Sequence, residues 1–187
     1  MCCMPLFRSA KVDPREFHRV MVFIDGSNMI HSSQRFRKGF KIDYKKLVDC
    51  LVGNRQLIRP YFFGSYDPNN PVSNKFFDSL RLQGFDVTQR PTRDRQAGEK
   101  AYKIEKGVDV SLVTKMLSHA FRNNFDVAII VSGDSDYVEA VQEVKNLGKR
   151  IEIAAFKASI GKDLKHIADL FIPIDDIASS IELTKEK

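Results

Sequence analysis

Two apolar runs, each closed by an acidic turn that contains glycine, constrain this chain more than any other feature. Val20-Met21-Val22-Phe23-Ile24 leads into Asp25-Gly26-Ser27-Asn28. Val127-Ala128-Ile129-Ile130-Val131 leads into Ser132-Gly133-Asp134-Ser135-Asp136-Tyr137. Continuous apolar runs of this length, bounded by turn residues, read as strands buried on both faces, as in a parallel sheet. Segments able to form helices follow both turns. Asp25, Asp134 and Asp136 are therefore expected where strands end and helices or loops begin, the edge at which open α/β sheets hold their ligands.

The rest of the chain extends this pattern. A short helix is expected over 29–36, with His31 one turn into it, read more readily as a solvated or capping residue than as a ligand, though close enough to Asp25 to touch a substrate. Asp43 caps a helix with apolar positions at Leu47, Val48, Leu51 and Val52, ended by Gly53. A strand is expected over 57–63, where Pro60 points to an edge contact or a bulge. A helix over 73–83 turns Phe76, Phe77 and Leu80 inward, and a strand covers 85–89. The next helix starts near Gly107 and carries Val110, Val113, Leu117 and Ala120, widened by Leu112 and Met116. Asp109 falls in its first turn, where the helix dipole favours a negative charge. After the 127–132 strand come a helix over 135–147, a strand over 150–156, a short helix over 160–168, a strand over 170–174 and a C-terminal helix from 175 to about 183.

This order implies a mostly parallel sheet with helices on both faces. Residues 1–19 read as a flexible tail and 20–187 as one domain. If the chain first steps outward from strand one and then lays the 127–132 strand on its other side, those two strands flank the switch point of the sheet. Asp25 then meets Asp134 and Asp136 across one crevice.

From residue 90 to 107 the composition shifts. Arg90, Arg93, Arg95, Lys100, Lys103 and Lys106 alternate with polar residues, Pro91 and Gly98. This reads as a long exposed loop, a phosphate-binding arm beside the acidic pocket. The formal net charge of +6 and the pI of about 9.2 favour polyanionic partners without requiring them. Cys2, Cys3 and Cys50 give neither metal-ligand spacing nor a disulfide framework, and Cys50 reads as a small core hydrophobe. No stretch approaches a membrane span and no signal peptide is visible, so a cytoplasmic protein without membrane contact is expected.

The chemistry follows from the acids. Mg²⁺ and Mn²⁺ take hard oxygen ligands, and neighbouring glycines let backbone and substrate approach. Asp25 and Asp134 are expected as direct ligands, Asp136 and Asp109 as direct or water-bridged ones. Asn28, Ser27 and Ser132 offer neutral groups to a water or a phosphate. Such a site hydrolyses phosphodiesters by activating water and neutralising developing charge. Each of these aspartates could instead cap a helix; the four together favour a metal site.

At I-D-G-S-N, K-G-V-D-V and V-S-G-D-S-D-Y the chain resembles the NYN-domain proteins, including the LabA-like group, of the PIN-like nuclease superfamily. The resemblance covers about 20–174. It implies a PIN-like Rossmannoid three-layer sandwich with strand order 3-2-1-4-5. It also implies a Mg²⁺- or Mn²⁺-dependent ribonuclease whose acidic positions are Asp25, Asp109, Asp134 and Asp136, with Asn28 as the motif-one asparagine. RNA is the expected partner, and a homodimer is compatible with the size of the domain.

Two alternatives stand beside this reading. One is an RNA-binding module that keeps the pocket and barely cleaves. The other is a different Mg²⁺-dependent phosphohydrolase. Its named versions fit less well: a Toprim-like site wants Glu after strand one, a haloacid-dehalogenase-type site wants Asp where Ser27 stands, and no G-x-G-x-x-G is present.

Overall fold

A computed structural model describes residues 18–68, 70–97, 100–104 and 107–184, with backbone alone for 71–73, 93–97 and 100–104. Residues 1–17 of the expected tail and Lys106 of the expected arm lie outside the described residues.

The chain begins with β1 (Arg19–Asp25), α1 (Gly26–Phe36), α2 (Tyr44–Val52), β2 (Gln56–Tyr66), α3 (Pro71–Leu82) and β3 (Asp86–Pro91). There follow β4 (Arg93–Ala97), β5 (Lys100–Ile104), α4 (Val108–Phe121) and β6 (Val127–Val131). A 3-10 turn (Ser135–Tyr137) then leads to α5 (Val138–Asn146), β7 (Arg150–Ala155), α6 (Lys162–Ile167), β8 (Leu170–Pro173) and α7 (Ile174–Ile181).

Six strands form one parallel sheet in the order β3-β2-β1-β6-β7-β8. Counted along the main sheet this is 3-2-1-4-5-6. The expected order holds, and β8 extends it by one strand. β1 and β6 are neighbours, with Ile24 opposite Val131. The direction of strand addition reverses there, so the turns after these two strands face each other.

The period-two geometry of strands divides β1 between two cores. Val20, Val22 and Ile24 pack with Met29, Leu47, Phe77 and Ile181, beneath α1, α2, α3 and α7. Met21 and Phe23 pack with Leu112, Met116, Val141 and Leu164, beneath α4, α5 and α6. Every residue of β6 is buried, as a central parallel strand covered on both sides requires.

Several local expectations need correction. The segment expected as a loop between 90 and 107 contains an antiparallel pair, β4 with β5, whose register sets Arg95 opposite Tyr102 and Asp94 opposite Lys103. Pairing the two stretches satisfies backbone groups that an open loop would leave to water. In α4 the buried stripe is Val108, Leu112, Met116 and Ala120, while Val110 is 68% exposed. Leu112, Met116 and Ala120 were among the residues expected inward, and Val113 and Leu117 flank them partly buried; Val110 is the one that turns outward, and Val108 takes its place. Cys50 is exposed rather than in the core, because α2 already buries Tyr44, Leu47, Val48, Leu51 and Val52 on its opposite side.

Pro60 is buried in a strand with neighbours on both sides. A bulge lies just before it, since Val20 pairs with Leu57 and Met21 with Arg59. The ladder to β3 begins only at Tyr61, so the missing N–H of Pro60 interrupts no pairing on that side.

At the opposite end of the sheet from the acidic turns, Arg19 fastens β1 to the start of β6. Its backbone N, Nε and Nη2 all donate to the carboxylate of Asp126, at 2.9, 3.1 and 2.8 Å. Among the described residues no helix is long and apolar enough to cross a membrane.

Candidate active site

Asp25 is the last residue of β1 and the N-cap of α1, with its side chain accepting from the backbone N of Asn28 at 3.0 Å. The same carboxylate is only 2% exposed. Ser132 Oγ donates to its Oδ2 at 3.1 Å, and the Tyr137 hydroxyl donates to the same oxygen at 3.0 Å. Three donors therefore orient Asp25 while burial strips it of water. Burial is the main cause that raises its pKa, and the nearby Asp109 adds to it; the three hydrogen bonds work the other way.

Asp109 arrives from a different element, the first turn of α4, where Gly107 takes the N-cap with φ of 80°. The Tyr137 hydroxyl is also 3.0 Å from Asp109 Oδ1. One phenol thus spans two carboxylates from β1 and α4. Burial, then the charges of Asp25 and Asp109, push its pKa far up, so it stays a protonated donor.

The two acidic turns are stitched together by Asn28. Its Oδ1 accepts from the backbone N of Gly133 at 3.1 Å and from Ser32 Oγ at 3.4 Å. Gly133 is needed for space, since a Cβ there would sit on the carbonyl of Ser159. Gly161 N donates to Gly133 O at 2.8 Å, which closes the 159–161 loop over this turn.

The result is an open cleft of about 620 Å³ at the C-terminal ends of β1 and β6. Asp25, Asn28, Asp109 and Asp134 line it, with Ser27, His31 and Arg35 along one flank and the 158–161 loop along the other. Ser27, His31 and Arg35 are spaced by four, so they follow one stripe of α1.

The expected site residues divide as follows. Asp25, Asn28, Asp109, Asp134 and Ser27 come together in the cleft. Asp136 does not line it; this residue is exposed, and its backbone N donates to Asp134 Oδ1 at 3.0 Å. Ser132, expected to meet substrate, is fully buried and serves Asp25 instead. Arg90 is exposed on a separate groove and donates to Ser111 Oγ at 3.1 Å. Arg93, Arg95, Lys100 and Lys103 fall on the two strands of the β4–β5 hairpin.

Sequence reasoning gave Tyr137 and Arg35 no role in the site and favoured a solvated or capping role for His31 over contact with substrate. The spacing of Ser27, His31 and Arg35 was the available signal for two of them. Tyr137 could have been noticed as the apolar end of an otherwise polar motif, which must turn inward.

The donor set suits a hard divalent cation by its chemistry. Asp25 is buried, yet none of the ion pairs among the described residues involves it. One hydroxyl hydrogen cannot serve both Asp25 and Asp109 at once. As the side chains stand, no three His, Cys, Asp or Glu residues among the described residues are gathered as a metal-binding group. Oxygen donors from Asp25, Asn28, Asp109 and Asp134 nevertheless line the same cleft.

Comparison with known proteins agrees with the fold. The family model described as the NYN domain matches residues 19–175. The low amplitude and bright protein LabA of Synechococcus elongatus is 24% identical over 172 residues, covering 89% of each chain. An uncharacterized protein of Methanocaldococcus jannaschii is 28% identical over 173 residues, 91% of this chain and 60% of that one. The crystal structure of a protein of unknown function from Vibrio parahaemolyticus superposes with a TM-score of 0.73 at 20% identity, covering 92% of this chain and all of that one.

Proposed function

The chain belongs to the NYN domain family, and from that premise we propose that it is a ribonuclease that hydrolyses RNA phosphodiester bonds at this cleft with Mg²⁺ or Mn²⁺. The observation that carries the reading is the convergence of Asp25 and Asp109, from β1 and α4, on one buried tyrosine, while both acids line a cleft flanked by His31 and Arg35. Carboxylate oxygens on one side suit a divalent cation, and the donors of Arg35 and His31 on the other suit an anionic phosphodiester.

Asp25, Asp109 and Asp134 would hold the metal, which when bound supplies an activated water and neutralises charge on the phosphoryl oxygens. The protein's own part is orientation. Asn28 N, Ser132 and Tyr137 fix the Asp25 carboxylate. Asn28 Oδ1 fixes the distance between the two acidic turns through Gly133. Arg35 and His31 meet the phosphate from α1, and Ser27 lies between them and Asp25.

The test is cleavage of an end-labelled single-stranded RNA with Mg²⁺, with Mn²⁺ and with chelator, for wild type, Asp25→Asn and Asp134→Asn. Metal-dependent cutting that both variants lose supports the reading. Undiminished cutting by Asp25→Asn sinks it.

A second reading has one observation in its favour. Asp136 stands outside the cleft and Asp134 still caps the Ser135–Tyr137 turn. An RNA-binding module that retains the pocket but does not turn over would bind the same RNA, with salt sensitivity, and leave it intact.

A further inference from the structure

A second groove lies beside the cleft, between α4 and the edge strand β3. It encloses about 490 Å³, a size that holds a ligand segment, and on α4 it begins at Val110, the residue after Asp109. Its walls carry Arg90 from β3 and Lys115 and Arg122 from α4. Between the cations stand hydroxyls at Ser111, Thr114 and Ser118. No carboxylate lines it. Asp86, outside the lining, pairs with Lys115 at 3.8 Å; both side chains are 37% exposed, so solvent screens the pair and it offsets only part of the charge in the middle of the row.

Two features give this row a direction. The helix α4 is 14 residues long, which is about 20 Å. Its N-terminal end is at the acidic cleft through Asp109, and its C-terminal end carries Arg122. The groove therefore runs away from the cleft along one helix, with cations at its start, middle and end. The β4–β5 hairpin is inserted in the chain between β3 and α4, the two walls of the groove. His119 also lines the groove, beside these cations. Burial, then Lys115 and Arg122, lower the pKa of His119, and Asp86 alone opposes them among the acids.

We propose that the groove between β3 and α4 carries the sugar–phosphate backbone of a single-stranded RNA away from the acidic cleft. The inference rests on the nucleolytic reading of that cleft and adds to it the path of the bound strand. Spaced cations neutralise successive phosphates, and hydroxyls between them offer neutral hydrogen bonds that are indifferent to base identity. One helix against one strand edge leaves room for one strand. The track therefore predicts affinity that grows with strand length and shows little sequence preference.

The experiment compares wild type with the double variant Lys115→Gln/Arg122→Gln in chelator, measuring anisotropy of a labelled sixteen-nucleotide RNA against salt. Both side chains are on the outer part of α4, so the fold is not at stake. The variant Lys45→Gln/Lys46→Gln removes the same charge from α2, in the opposite layer. The groove variant is expected to lose about tenfold in affinity, and its salt slope falls by about 1.4, the value for two phosphate contacts on a single strand. The α2 variant stays within about twofold. Hydrolysis of bis(p-nitrophenyl) phosphate, a diester small enough for the cleft alone, stays unchanged in the groove variant. Equal affinity and equal salt slope in wild type and groove variant overturn the track, as does a tenfold preference for duplex RNA. Loss of binding in the groove variant, with no cleavage by wild type, supports the track and removes the hydrolytic reading.

Discussion

The hydroxyl of Tyr137 donates to Oδ2 of Asp25 at 3.0 Å. It is also 3.0 Å from Asp109 Oδ1. One hydrogen cannot satisfy two acceptors, so Tyr137 sets the separation of the two carboxylates more than it neutralises them. Tyr137→Phe keeps the ring and removes only the spacer. Loss of a buried hydrogen bond to charged groups is expected to lower stability by about 1–3 kcal/mol, read as a lower urea midpoint. Affinity for Mn²⁺, measured by calorimetry, is expected to weaken by about tenfold, the usual effect of losing a group that orients a ligand. Unchanged Mn²⁺ affinity would show that Asp109 is placed by α4 alone.

Gly133 gives a second prediction, from space rather than torsion. Its backbone is not in the left-handed region, yet a Cβ would land on the carbonyl of Ser159. Gly133→Ala must push the 159–161 loop away and break the 2.8 Å bond from Gly161 N to Gly133 O. Overpacking of this kind costs about 1–3 kcal/mol. Thermal melts should show the loss, and RNA cleavage should fall with it because Asp134 follows Gly133 directly. A variant as stable and as active as wild type would mean that the loop moves freely.

How much of this was legible in the sequence varies by element. The pairing of β1 with β6 could be read because two buried strands ending in acidic turns have one simple arrangement that joins them. The helix face of α4 could not be fixed to the residue, since Val110, Val113, Leu112 and Met116 are all apolar and the choice among rows was made by the sheet below. The hairpin β4–β5 was obscured because its strands are rich in charge, which argues for a loop when no partner is known. Asp25, Asn28, Asp109 and Asp134 were found as motif residues. Asp136 and Ser132 were assigned to substrate or metal because a motif says nothing of which way a residue points. A 3-10 turn after Asp134 sends Asp136 outward and Tyr137 inward, one residue apart.

Arg35 supplies a third prediction. It is exposed in the last turn of α1 and lines the cleft beyond His31. Its replacement should leave stability within about 0.5 kcal/mol, as for other surface changes away from caps and cores. An arginine that holds substrate and transition state alike affects KM and leaves kcat nearly unchanged. Arg35→Gln is therefore expected to raise KM for RNA by about tenfold with kcat within about twofold. A large drop in kcat at constant KM would instead put Arg35 in contact with charge that develops only during reaction.

The last prediction concerns pH and the far end of the sheet. The Arg19 guanidinium and backbone N hold Asp126 well below the usual carboxylate range, down to about 2. A carboxylate depressed in the folded state stabilises the fold above its unfolded pKa of about 4, and that contribution disappears as pH falls towards the folded value. Between pH 5 and pH 2 wild type should therefore lose more stability than Asp126→Asn, in which the titration is absent. The side chains of Arg19 and Asp126 are 35% and 39% exposed, so salt screens part of the effect. Urea midpoints at low ionic strength should show the two proteins converging as pH falls below about 4. Parallel midpoints across the whole range would mean that the backbone pairing of β1 with β6, and not the ion pair, holds these strand ends together.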